Sequence, residues 1–228
     1  MSVMSADPTV RTWSSEAFVA EWVGRDVLAD MLSLPRQLSA ALVADAEVPV
    51  AHVIDLGSGP GAYLQTLLES FPGARGTWID TSPTMEEVAR ERLAGLGDRV
   101  EYRLGDIERF EDLGLDRAEV VLTSRVVHHL SPESIQRLYA AVRDQLSPGG
   151  FFFNLDHFGV PGDWEQRYRR IRPQFTGKPK QEVARHHHDY PFSRIETHLE
   201  WLEQARFAVP DVPWRTFFTA LLAARREA

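Results

Sequence analysis

Apolar residues along the chain fall into two alternating rhythms. Short runs at 52–56, 76–79, 100–104, 119–123 and 151–155 have the length and the β-branched or aromatic content of strands. Between them, apolar positions recur every three or four residues, as in Tyr63, Leu64, Leu67 and Leu68, or Ile135, Leu138, Tyr139 and Val142. That spacing lines one face of a helix. Regular alternation of the two patterns predicts right-handed parallel crossovers and a doubly wound sheet covered on both faces.

The punctuation agrees with this reading. Ser82-Pro83 and Ser131-Pro132 each read as a helix N-cap with proline at the first helical position. Pro72-Gly73 and Pro148-Gly149-Gly150 mark turns into strands. Ahead of the first strand, residues 14–31 are patterned as a helix bearing Phe18, Trp22, Val27 and Leu28. Pro35 is expected to interrupt, with a second helix running to about Asp45. These helices, within 1–50, serve either to cover the sheet or to close as a lid. Residues 51–228 form the core domain, and the rhythm breaks at 157–192, an insert on the side where an acceptor would enter. Ser193 to Glu196 reads as a capping box. The end, 207–224, reads as two antiparallel strands with a tight connection at Pro213-Trp214, the first confined to a sheet edge by Pro210.

The chemistry concentrates where the first strand ends. Val53-Ile54-Asp55-Leu56 runs directly into Gly57-Ser58-Gly59-Pro60-Gly61, after which the helix pattern starts. Glycines let the chain turn sharply and let a ligand touch the backbone, while the following helix presents unpaired N–H groups. Trp78-Ile79-Asp80 is a second apolar run ending in an acid, close to the ~20-residue spacing at which a carboxylate meets ribose hydroxyls. Turn and acid together point to a ribose-bearing cofactor without specifying it.

Composition narrows the partners. The net charge of −8 over 228 residues gives no general attraction to nucleic acid, and cysteine is absent, which removes thiolate chemistry. The first residues lack a signal-peptide pattern and no apolar run is long enough to span a bilayer, so a cytoplasmic protein without membrane attachment is expected.

Asp55 to Gly61, then Asp80, then Gly105-Asp106-Ile107, then Leu146-Ser147-Pro148-Gly149-Gly150, resemble the ordered motifs of class I S-adenosylmethionine-dependent methyltransferases. The resemblance covers residues 51–156, and His128-His129-Leu130 looks like the bacterial small-molecule branch. It implies a Rossmann-like sheet of seven strands, mostly parallel, with an antiparallel C-terminal strand. It also implies S-adenosylmethionine as cofactor and S-adenosylhomocysteine as product. Asp55, Gly57, Ser58, Gly59 and Gly61 would border the methionine moiety, and Asp80, with Thr81 beside it, the ribose. Ser82 and Met85 would lie near the adenine, Asp106 would accept its amino group, and Ile107 would pack on the ring. Thr123, Ser124 and Arg125 would face the sulfonium and the acceptor.

Methyl transfer is an in-line displacement in which positioning can supply about 7–11 kcal/mol, and a base is needed only where the acceptor must lose a proton. Candidate bases are His128, His129, His157 and the run His186 to His188, with His128, His157 and His187 taken as the catalytic set. In the pattern that the resemblance implies, the His128-His129 pair often serves instead to shape the turn after the fourth strand. Three adjacent histidines diverge on any regular element, so a solvated loop competes there with an acceptor contact, and no metal site is expected. Trp22, Trp164 and Tyr168 either cage a sulfonium or acceptor, or simply pack. Basic residues at 167–185 favour an anionic small-molecule acceptor if they face the strand tips. Two other readings share the glycine turn: a nicotinamide-dependent oxidoreductase, disfavoured by Ala62 where a last glycine is usual, and a protein that binds S-adenosylmethionine without turning it over.

Overall fold

The computed structural model describes residues 29–176 and 190–227. One sheet of seven strands runs through it in the order β3-β2-β1-β4-β5-β7-β6. The strands are β1 (His52–Leu56), β2 (Arg75–Asp80), β3 (Val100–Leu104), β4 (Ala118–Ser124), β5 (Leu146–His157), β6 (Ala208–Thr216) and β7 (Thr219–Arg225). The first five pair in parallel, and β7 enters antiparallel between β5 and β6. All five residues of β1 are buried, as a central parallel strand covered on both faces requires.

Two apolar layers result. On one face Ile54, Leu56, Val121 and Phe152 pack with α4 (Pro132–Gln145) and α6 (Ile195–Gln204). On the other, Val53, Trp78, Leu122 and Phe153 pack with α1 (Ala29–Asp45), α2 (Ala62–Ser70) and α3 (Pro83–Arg92). The caps at Ser82 and Ser131 form, each side chain accepting a backbone N–H, from Met85 and Ser134 respectively. Among the described residues no helix is long and apolar enough to cross a membrane.

Three local expectations are corrected. Pro35 lies inside α1 rather than ending a helix. The lost N–H costs about 3 kcal/mol, but burial of Leu32 and Val43 returns roughly 1.5–3 kcal/mol each, and the helix continues. The capping box at Ser193 is absent: Arg194 is the N-cap and makes no side-chain capping bond, because Gly159 N–H donates to the Ser193 carbonyl (2.9 Å) and the chain is still extended there. The C-terminal connection is at Phe217-Phe218, and Pro213-Trp214 lies within β6. Register shifts on either side of Asp211 absorb Pro210 and Pro213, which an edge strand tolerates. The first N-terminal helix falls outside the described residues except for its end, which continues into α1.

Candidate functional site

The tips of β1, β2 and β3 are tied together in sequence. Ser58 N–H donates to the Ile79 carbonyl (2.9 Å), and Gly105 N–H to the Asp80 carbonyl (3.0 Å). The glycine turn then bends under backbone control, with Gly57, Gly59 and Gly61 all at positive φ (66°, 53° and 78°). Trp78, fully buried, donates its indole N–H to the Gly59 carbonyl (2.8 Å), giving a buried ring its polar partner and holding the turn. Asp80 completes the clasp. One of its oxygens accepts Gly59 N–H (2.9 Å) and the other Ser82 N–H (3.0 Å).

Beside this clasp lies a cavity of about 320 Å³. Gly57, Ser58, Gly59, Asp80, Thr81, Met85, Asp106, Ile107, Ser124 and Arg125 line it, so most of the residues assigned to the cofactor share one wall. A Cβ on Gly59 would meet nothing within 4 Å, so that glycine faces open space. Arg125, at the end of β4, sits at φ 58° with its N–H on the Leu155 carbonyl (3.0 Å). Ser124 Oγ is buried with no hydrogen-bond partner.

Other assigned residues lie behind the wall. Gly61 caps α2, and a Cβ there would meet Leu93 Cδ1 at 2.8 Å. Ser82 is turned into the α3 cap and is 3% exposed. Asp55 is buried on the α1 side, accepting from Ser58 Oγ (2.6 Å) while its other oxygen has no partner. Burial pushes its carboxyl up to about 7 despite the Ser58 bond. Burial also raises Asp80, with backbone N–H groups pulling back.

The histidines separate. Asp156, at the tip of β5, accepts His128 Nδ1–H, and its two oxygens also take the backbone N–H of His128 (3.1 Å) and of His157 (2.7 Å). Burial pushes the Asp156 carboxyl up, yet attraction to His128 and that hydrogen bond hold it well below the carboxylate range. His157, paired with Thr219 Oγ1 (3.0 Å), is pushed down to about 3 by burial and by His128. His128 and His157 do not line the cavity; His129 does, its ring 4.0 Å from that of His128. The turn Val127–His129 puts neighbouring side chains on different sides, which explains the exchange. His187 and Trp22 lie outside the described residues.

Sequence reasoning missed Arg36, Tyr63, Val126 and Leu130 on the cavity wall. Tyr63 carried an apolar-stripe signal only, and its phenol is hydrogen-bonded to Ser39 of α1. Arg36 follows Pro35, where the helix was expected to stop. Tyr139 shows a similar blind spot: its buried hydroxyl accepts from Asn154 (3.0 Å) and donates to His198 Nδ1 (2.6 Å).

The chain matches a family model described as a methyltransferase domain over residues 53–150. It is 34% identical over 109 residues to mitomycin biosynthesis 6-O-methyltransferase of Streptomyces lavendulae, covering 47% of this chain and 30% of that protein. It is also 34% identical over 142 residues to aclacinomycin 10-hydroxylase of Streptomyces purpurascens, 60% of this chain and 37% of that one. The chain thus spans about a third of the length of these curated relatives. A putative O-methyltransferase from Nostoc punctiforme superposes with a TM-score of 0.71 at 16% identity, over 98% of this chain and 64% of that one. Human N-acetylserotonin methyltransferase, solved in complex with SAM, gives 0.64 at 18%, over 95% and 58%. At such identities the likeness speaks for the fold. Residues 53–150 thus match a methyltransferase domain, and the chain shares the fold of solved methyltransferase structures.

Proposed function

We propose that the protein transfers a methyl group from S-adenosylmethionine to a small-molecule acceptor by in-line displacement. The observation that carries the reading is the cavity in which Gly59, Asp80, Asp106 and Ser124 converge. Its residues suit the cofactor. Gly59 leaves room for a ligand at van der Waals contact, and the Asp80 oxygens keep lone-pair capacity beyond their bonds to the backbone N–H groups of Gly59, Thr81 and Ser82, as a ribose diol needs. Ser124 Oγ is a buried hydroxyl awaiting a partner.

S-adenosylmethionine would supply an electrophilic methyl group on a cationic sulfur. Asp80 would hold the ribose, Asp106 and Ile107 the adenine, and Arg36 would add a cation where the cavity is closed by α1. Arg36 and Arg125 on one wall favour an acceptor bearing a negative charge. Neither His128 nor His157 lines the cavity, so a base role for His128 needs an acceptor that reaches past His129, whose ring lies 4.0 Å from it. The His128 Nδ1–H is fixed on Asp156, which orients the ring, whereas burial pushes His157 down to about 3. α1 packs into the core through Leu32, Ala40 and Val43, so its described part acts as a fixed cover. Small acceptors free in the cytoplasm fit this arrangement.

The name of the aclacinomycin relative makes the test of transfer worthwhile. Incubation with methyl-labelled S-adenosylmethionine and a cell extract should place label in a small organic product, with release of S-adenosylhomocysteine. Label confined to RNA or protein, or consumption of the cofactor with no methylated product, contradicts the proposal.

A further inference from the structure

A second cleft of about 190 Å³ lies away from the first cavity and shares no lining residue with it. It is enclosed by the start of α5 (Gly162–Thr176), the start of α6 and the end of β6. Two aromatic rings, Trp164 and Tyr168, form one wall, with centroids 5.6 Å apart and planes 36° from each other. Arg194, Arg215 and Glu196 also line the cleft.

The charges do not cancel. Arg194 Nε pairs with Glu196 (3.1 Å); the Glu196 carboxyl is lowered first by its own backbone N–H, then by Arg194, with Arg215 adding a smaller attraction through space. Two guanidiniums against one carboxylate leave the cleft one positive charge in excess. The N-terminus of α6 lies here too: its N-cap Arg194 supplies no side-chain acceptor, and the Glu196 N–H is met by its own carboxylate. The floor is rigid. Gly159 N–H is bonded to the Ser193 carbonyl, and a Cβ on Gly159 would come within 2.3 Å of the Phe192 carbonyl oxygen. Only glycine allows the two backbones to meet there.

We infer that this cleft is a binding site for a planar aromatic carboxylate, its ring against Trp164 and Tyr168 and its carboxylate on Arg215 and Arg194. The chemistry is complementary in both parts: guanidinium forks match carboxylate geometry, and flat rings prefer aromatic walls. The volume suits a single-ring acid, being smaller than the roughly 300–1,000 Å³ typical of drug-sized ligands. Occupancy would reach the histidine cluster through the floor, since Phe192 lies 5.2 Å from the His128 ring and Gly159 is two residues beyond His157. The inference does not rest on methyl transfer, and either can fail alone.

Benzoate is the probe, titrated into the full-length protein by calorimetry at low salt. Saturable binding is expected, weakened about tenfold in Arg215→Ala and again in Trp164→Ala, both exposed positions that leave the core intact. Benzyl alcohol and inorganic phosphate should each bind at least tenfold more weakly than benzoate. S-adenosylhomocysteine should neither compete with benzoate nor lose affinity in these two variants. Benzoate binding that is unchanged in Arg215→Ala, matched by the neutral alcohol or by phosphate, or displaced by S-adenosylhomocysteine overturns the assignment, as does no saturable binding at all.

Discussion

At the tip of β1 the carboxyl of Asp55 is raised to about 7 by burial, and at the tip of β2 Asp80 is raised as well. At the tip of β5 Asp156 is just as buried as Asp55, 1% exposed in each case, yet it is held well below the carboxylate range. The difference is in the partners. Asp55 meets a hydroxyl and Asp80 meets backbone amides, whereas Asp156 meets the ring of His128 and two further amides. The β1–β3 half presents polar groups suited to a neutral nucleoside. The β5–β7 half keeps a fixed negative charge behind a histidine, which is what proton transfer needs.

The largest effect expected from this contrast is on turnover. Asp156→Asn removes the charge that orients His128, and should lower kcat by about 10²–10⁴-fold for an acceptor that must lose a proton. Affinity for S-adenosylhomocysteine should stay within about twofold, because Asp156 does not line the cofactor cavity. Equal losses in affinity and turnover would mean that Asp156 is only structural.

Stability against pH should separate the halves next. Burial lowers His198 to about 4, so the unfolded chain binds the extra proton between pH 4 and 6.5 and stability rises with pH in that window. Asp55, raised to about 7, has the opposite sign: its contribution is complete below the unfolded value of 3.8 and is lost as pH rises towards 7. Each is worth about 3–4 kcal/mol over its window, so they largely offset each other. His157, lowered to about 3, adds a rise of the same sign as His198, so denaturant titrations from pH 4 to 6.5 should show a rise with pH that is steeper than wild type in Asp55→Asn and shallower in His198→Asn. The same slope in both variants would contradict the assignment.

Gly59→Ala tests the turn with the smallest effect. Its φ of 53° makes any side chain strained by about 1–2 kcal/mol, and the new methyl enters the cavity. Cofactor affinity should fall about tenfold with the fold retained, whereas Gly57→Ala, whose Cβ would lie 2.5 Å from Val126 Cγ2, should lose stability as well.

The same contrast explains what was legible in the sequence. The β1–β3 half uses backbone turns, and backbone turns demand particular residues: glycines at positive φ, an acid at a fixed spacing, Ser-Pro caps. Those demands are visible one residue at a time, and β1 and β3 lie where the pattern put them. The other half is assembled by long-range side-chain contacts. His128 and Asp156 are 28 residues apart, and Tyr139 and His198 are 59 apart. No local spacing announces such pairs. Pro35 and Pro213 misled for a related reason, since proline is punctuation only where burial or an edge position does not compensate it.

Everything in the functional reading depends on a nucleoside being held between Gly59 and Asp80, and calorimetry with S-adenosylhomocysteine measures that directly. The wild-type protein should bind at one site, and Asp80→Ala should weaken binding about a hundredfold or more by removing the acceptor for two hydroxyls while leaving the thermal transition cooperative. Binding of equal strength in the two proteins, or none in the wild type at millimolar ligand, would contradict the account.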